Sequence, residues 1–244
     1  MQNSAIFRVI HTYNQSAVMN MAIDKALVLS FKKEDQPILR LYTWQNSFTV
    51  GVSQNTNTYE AYVKQYKANC AKRITGGGVL FHGHDLSYSL VLPTFYLENL
   101  SVKQSYEKIC TFLLCFYKSL NLEARYAKDV STINLSKSDF CQIGYEAYDI
   151  IINGKKIGGN AQKRTKNMIF QHGSIPLYTN NKNREMGISL EDLGVNISYK
   201  KAIEGLKYAF INTFNAKLEE SNLNEKEHLN LEKILGKKYD TAEK

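Results

Sequence analysis

Three prolines and fourteen glycines in 244 residues leave little material for a Pro/Gly-rich linker, so one large domain spanning 1–244 is expected. No apolar run approaches the roughly 18–20 residues of a membrane span, and a membrane is not an expected partner. The opening MQNSAIFRVIHTYNQ lacks a charged segment followed by a long apolar one, which argues against a secretory signal and for a cytoplasmic address. The four cysteines, at 70, 110, 115 and 141, form no C-x-x-C pair and no zinc-like spacing, so no metal site is expected. In a reducing compartment they are free thiols. No G-x-x-x-x-G-K-[ST] run is present, which excludes a P-loop. The 31 Lys and Arg against 23 Asp and Glu give a net charge of +8, but they are dispersed and form no basic tail, so nucleic acid is not an expected partner.

What is present can build a core: apolar residues are 43% and aromatics 11%. Residues 16–30 carry Met19, Ile23, Ala26 and Leu27 at helical spacing behind a possible N-cap, Ser16. ILRLYTW (38–44) and FTVGV (48–52) read as strands joined by a turn at Gln45-Asn46-Ser47. AKRIT (71–75), LSYSLVLP (86–93) and FQHGSIPLY (170–178) read as further strands. Ser101 and Gln104 fit a capping box, followed by a helical stripe from Tyr106 to Leu120. YDIII (148–152) and KKIGG (155–159) flank Asn153-Gly154, the dipeptide that best tolerates a type I′ hairpin turn. Residues 198–218 predict a helix capped by Ser198, and 224–240 a shorter charged one. Without regular βαβ alternation, these elements predict a mixed, largely antiparallel sheet with helices.

Three stretches could carry chemistry. In RITGGGVLFH (73–82), Gly76, Gly77 and Gly78 remove every Cβ, so a ligand can approach backbone N–H groups closely. The same glycines would also suit a plain turn, but the neighbouring Arg73, Thr75 and His82 favour a site. Along the hairpin, Lys155 and Lys156 must point to opposite faces, one to solvent and the other toward a cavity, where a fixed cation can orient a carboxylate, phosphate or thioester carbonyl. Gly158-Gly159 would weaken that strand unless something approaches closely. Cys141 precedes this unit; a nearby lysine would favour its nucleophilic thiolate. Chemistry alone leaves it open whether Cys141 is a nucleophile or a buried thiol, and whether His82, His84 and His172 are bases or structural.

Together NMAIDKAL (20–27), LRLYTWQNSFTVGVSQN (39–55), KRITGGGVLFHGHDLSYS (72–89), NGKKIGGNAQKR (153–164) and QHGSI (171–175) resemble the lipoate–protein ligase A and octanoyltransferase superfamily, over nearly the whole chain. The resemblance implies an α+β, biotin/lipoate ligase-like catalytic domain, its sheet flanked by helices, with helices over 198–237 part of it. It implies that the glycine loop and hairpin line an acyl-binding tunnel, with Lys156 contacting the acyl carbonyl. Arg73, Gly76, Gly77, Gly78 and His82 match the loop motif, and Gly159, Asn160 and Ala161 complete the substrate-binding set. Lys72 stands where the usual pattern has Arg.

Cys141 lies seven residues before Tyr148, with Asp149-Ile150 in place of Glu-Ile. That spacing resembles the cysteine-dependent octanoyltransferase branch, although Tyr145-Glu146 stand where that branch often has Pro-Ser. The branch implies that Cys141 takes octanoyl from acyl carrier protein as a thioester. A lysine of a lipoyl domain, on a glycine-cleavage H protein or a 2-oxoacid dehydrogenase E2, then receives it. Neither metal nor cofactor is implied. Two alternatives stay open: an ATP-dependent lipoate–protein ligase working with a separate subunit, and an amidotransferase moving octanoyl or lipoyl between lipoyl-bearing proteins.

Overall fold

The computed structural model describes residues 4–135, 144–180 and 187–239. In chain order the elements are β1 (Ala5–Gln15), α1 (Ala17–Ser30), β2 (Ile38–Trp44), β3 (Ser47–Val50), α2 (Glu60–Gln65), β4 (Cys70–Lys72), β5 (Leu80–His82), β6 (Asp85–Pro93), α3 (Val102–Ser119), β7 (Ala124–Tyr126), β8 (Ile150–Ile152), β9 (Lys155–Lys156), β10 (Gly159–Arg164), β11 (Met168–Pro176), α4 (Tyr199–Phe214), β12 (Ala216–Glu220) and α5 (Glu225–Tyr239).

Six strands form the main sheet in the order β10-β11-β6-β2-β1-β12. The ladders from β10 through β2 are antiparallel, while β2–β1 and β1–β12 are parallel. The expected mixed, largely antiparallel sheet is therefore present. Two small sheets, β4-β3-β5 and β7-β8-β9, flank it.

Strand alternation sorts the side chains of the main sheet onto two covered faces. Leu39, Leu41, Leu86, Tyr88, Leu90 and Leu92 join Phe112 and Phe116 of α3 and Leu206 and Phe210 of α4 in one apolar core. On the other face Ile10, Ile38, Val91 and Phe170 pack with Ile23 and Leu27 of α1. Because both faces are covered, β2, β6 and β11 are buried along their entire length. The α1 face also carries the buried polar groups Arg40, Ser87, Ser89 and His172, and one part of the site is built from these.

The expected caps are present. Ser16 Oγ accepts from Met19 N at 3.2 Å, and Ser101 with Gln104 forms a reciprocal capping box. Ser198 caps α4, which stops at Phe214 because Asn215 turns left-handed at φ 47°. Residues 216–218, read as the end of that helix, instead belong to β12 and pair with β1. Nor are β2 and β3 a paired hairpin, since the turn between them passes the chain from the main sheet to a small one. KKIGG is likewise broken: β9 ends at Lys156, and Gly158 at φ 71° redirects the chain into β10 of the main sheet. Among the described residues no helix is long and apolar enough to cross a membrane.

Candidate active site

The hairpin forms as its dipeptide predicts, with Asn153 at φ 50° and Gly154 at φ 74°. Pairing sets Ile152 opposite Lys155 and Ile151 opposite Lys156. Lys155 is exposed and Lys156 buried, as the alternation requires. Lys156 Nζ donates to Asp149 Oδ2 at 2.6 Å and to the Gly144 carbonyl at 3.0 Å. Burial pushes the Asp149 carboxyl above its usual range, against the pull of Lys156. The lysine is fixed where two sheets meet, because Gly158 brings its Cα against the Ser174 carbonyl; a Cβ there would lie 2.0 Å from that oxygen.

The glycine loop is clamped from both ends. Gly51 supports it from just past the end of β3, where a Cβ would lie 2.0 Å from the Gly77 carbonyl oxygen. Arg73 donates to the Gly78 carbonyl at 2.6 Å, to the Gly76 carbonyl at 3.2 Å and to Thr49 Oγ1 at 2.9 Å. Thr49 in turn bonds His82 Nε2 at 2.9 Å, and His82 Nδ1 lies 3.0 Å from Asp85 Oδ2. Burial would raise the Asp85 carboxyl, yet His82, His84 and Ser174 together hold it at about 2. An ionised Asp85 accepts from His82 Nδ1–H, which turns Nε2 toward the Thr49 hydroxyl. Trp44 stacks on the His82 ring, centroids 3.7 Å apart, which fixes its plane.

A second relay of the same kind braces the loop on the α1 face. Thr75 Oγ1 meets His172 Nε2 at 2.7 Å, and His172 Nδ1 faces Asp24 Oδ2 at 3.4 Å. Asp24 is fully buried on α1 and satisfied by Arg40 at 2.7 Å, Ser89 at 2.8 Å and Tyr42 at 3.2 Å. Burial would raise its carboxyl, but Arg40, His172 and Ser89 outweigh it and hold it low. Burial lowers His172. Both histidines thus stand between a buried carboxylate and a threonine, and both line the cavity described next.

These pieces enclose a cavity of about 450 Å³. Of the residues expected in the site, Lys156, Arg73, Gly77, Gly78, His82, Gly159, Asn160 and Ala161 line it. Gly76 is not among the lining residues: it is exposed and contributes its carbonyl to Arg73. Cys141 lies outside the described residues. Sequence reading overlooked Asp24 and Arg40, and it noted Asp149 only as a neighbour of Tyr148. An acid inside the apolar pattern of α1, and an arginine inside a strand buried on both faces, were the available signals. No cluster among the described residues could hold a metal ion. Chemically, a buried cation beside a clamped glycine loop suits a ligand with a polar carbonyl head.

The family model for the lipoyl protein ligase A/B catalytic domain matches residues 16–204. Octanoyltransferase LipM of Oceanobacillus iheyensis is 33% identical over 171 residues, 68% of this chain, but the match spans only 62% of that relative's length. Octanoyltransferase LipM of Kyrpidia tusciae is 28% identical over 262 residues, 95% of each chain. Lipoate-protein ligase A bound with ATP superposes with a TM-score of 0.80 at 23% identity over 98% of this chain and 96% of that one, a likeness of fold. The match runs from the cap of α1 through both relays and the hairpin into α4, and the chain belongs to the lipoyl protein ligase A/B catalytic domain family.

Proposed function

We propose that the protein transfers an octanoyl group from acyl carrier protein to a lysine of a lipoyl domain through a thioester on Cys141. The observation that carries this reading is the setting of Lys156, a buried, carboxylate-paired cation opening on the cavity beside the glycine loop. Gly144, whose carbonyl Lys156 holds, also lines the cavity. Cys141 is three residues away along the chain, a reach of at most about 11 Å. The names of the LipM relatives support the same reading.

In the first step the Cys141 thiolate adds to the thioester carbonyl, forming an S–C bond while the C=O pair moves to oxygen. Lys156 donates a hydrogen bond to that oxygen and keeps its proton. Collapse expels the carrier thiolate and leaves octanoyl on Cys141. In the second step the neutral amine of the acceptor lysine adds to the same carbonyl, and collapse expels the Cys141 thiolate. The amine nitrogen releases one proton to solvent and an amide remains, which makes the sequence run forward. The chain chemistry fits without metal or nucleotide, and the octanoyl tail gains roughly 0.8 kcal/mol for each CH₂ removed from water. A net charge of +8 favours encounter with acidic carrier domains.

The test is intact-protein mass after incubation with octanoyl-acyl carrier protein and no ATP, alongside Cys141→Ser. One octanoyl adduct on the wild type alone, removed by hydroxylamine and passed to a lipoyl domain, is expected. No adduct, with pyrophosphate released only on adding ATP and lipoate, would make the protein a ligase. An adduct formed only from an octanoylated protein donor would make it an amidotransferase.

A further inference from the structure

We propose that the Asn160 side-chain amide is a second hydrogen-bond donor to the acyl carbonyl oxygen, and that Tyr88 is the positioning residue that turns this amide toward the ligand. The proposal rests on the acyl-transfer reading above.

The argument begins with strand register. Asn160 of β10 pairs with Gly173 of β11, and Gly173 pairs with Tyr88 of β6. Directly paired residues share a sheet face, so Asn160, Gly173 and Tyr88 lie in a row on the face covered by α3. The middle member has no side chain, and this is required. A Cβ on Gly173 would lie 2.1 Å from Asn160 Oδ1 and 2.6 Å from Tyr88 Cε1. Across that gap Tyr88 donates its hydroxyl proton to Asn160 Oδ1 at 2.8 Å. The hydroxyl is itself set from behind. Gln171, fully buried on the same face, donates through Nε2 to Tyr88 Oη at 2.8 Å and to Cys110 Sγ at 3.3 Å, and its Oε1 accepts from Gln162 at 3.0 Å.

The relay therefore has a direction, from Gln171 to Tyr88 to Asn160. Gln171 Nε2 spends its two hydrogens on Cys110 and Tyr88, Tyr88 passes on its single hydrogen, and Asn160 accepts through oxygen. What remains of the Asn160 head group is Nδ2, which donates to no partner among the described residues, on a residue that lines the cavity. Tyr88 does not line it. Burial keeps the relay's two ionisable members protonated, with the Tyr88 hydroxyl pushed far up and the neighbouring Cys110 thiol up to about 12, so its direction does not change with pH. A fixed N–H pair on a wall of the cavity that Lys156 also lines gives the carbonyl oxygen a neutral donor in addition to the cationic one. As the C=O pair moves to oxygen in either addition step, that hydrogen bond strengthens while the proton stays on nitrogen.

The test uses the full chain with octanoyl-acyl carrier protein and follows acyl-enzyme formation in single turnovers. Asn160→Ala is expected to slow the step about 10²-fold with the half-saturating donor concentration little changed. Asn160→Asp, matched in shape but without the N–H pair, should be at least as slow. Tyr88→Phe should be slow in the wild-type background and cost nothing further in the Asn160→Ala background, because it acts through that amide. Wild-type rates in Asn160→Asp, or an equal cost of Tyr88→Phe in both backgrounds, would overturn the proposal. Octanamide titrated against ¹⁵N-labelled protein reads the orientation without any reaction. The Asn160 side-chain NH₂ pair, identified by its loss in Asn160→Ala, should shift in the wild type and not in Tyr88→Phe. No shift in the wild type also overturns the proposal. A wild type that forms no acyl-enzyme yet shows this shift would count against octanoyl transfer while supporting the amide's role.

Discussion

Lys156 and Asp149 form a buried pair at 2.6 Å, and the two charges depend on each other. Removing the lysine leaves a carboxylate away from water with, among the described residues, only the Glu146 N–H, at 2.7 Å, still bonded to it. Breaking such a pair from one side costs about 3–5 kcal/mol in stability. Lys156→Met should therefore lower the urea-unfolding free energy by an amount of that order and slow acyl transfer by at least about 10²-fold. Lys156→Met combined with Asp149→Asn removes the stranded charge while keeping an acceptor for the Glu146 N–H. It should regain most of the stability and none of the rate, which urea melts and single turnovers on the same preparations will separate. Recovery of rate in the double variant would show that the lysine acts only by holding the segment at 144–149. The split between Lys155 and Lys156 was readable from strand alternation. Asp149 as the partner was not, because residues seven apart meet only once the Asn153-Gly154 turn has folded β9 back on β8.

Among the elements, the glycine loop separates glycines that are needed for space from one that is not. Gly51 sits under Gly77, and a Cβ at 51 would meet backbone that cannot swing away, 2.0 Å from a carbonyl oxygen. Nothing lies within 4 Å of a Cβ built on Gly76. Gly51→Ala is expected to cost about 1–3 kcal/mol and to displace the loop, reducing acyl-enzyme formation as well. Gly76→Ala should stay within about 0.5 kcal/mol of wild type and keep its rate. Thermal melts and mass-detected acylation of the two variants check the contrast, and an inactive Gly76→Ala would mean the ligand reaches further along the loop than the cavity does. Sequence could locate this loop from its three glycines. It could not rank them, because Gly51 is 26 positions from the carbonyl it underlies. The same limit explains the strands that were missed. AKLEE in β12 carries no alternation of its own, and local pattern is no help where a strand exists only because β1 offers an edge. β1 itself is buried in its middle and open at its ends, so no single period runs through it.

At the scale of the molecule, the two faces of one sheet approach the cavity differently. The α3 face supplies a neutral relay ending at Asn160, whereas the α1 face supplies the titrating groups, and this predicts how stability follows pH. His172, His84 and His11 are each lowered chiefly by burial. Their unfolded counterparts take up protons near pH 6.5 while the folded rings resist, so the unfolded state binds more protons and stability falls as pH drops through that range. For Asp24 and Asp85 burial acts upward, but the histidines, together with Arg40 for Asp24, hold both carboxyls low, Asp85 at about 2. Their contribution is whole above the unfolded value near 3.9 and is lost as pH falls from about 4 toward about 2. Asp149, raised by burial, acts in the opposite direction just above its ordinary value and softens the decline there without reversing it. Urea-unfolding free energy should therefore be level between pH 7 and 8, decline through pH 6, and fall more steeply below pH 4. His172→Gln should shrink the decline near pH 6 and leave the acid limb in place, since Asp85 keeps His82, Ser87 and Ser174 as partners. A free energy that rises as pH falls from 7 to 5 would mean these rings are charged in the folded protein, and that the Thr75–His172 relay does not hold the glycine loop as described.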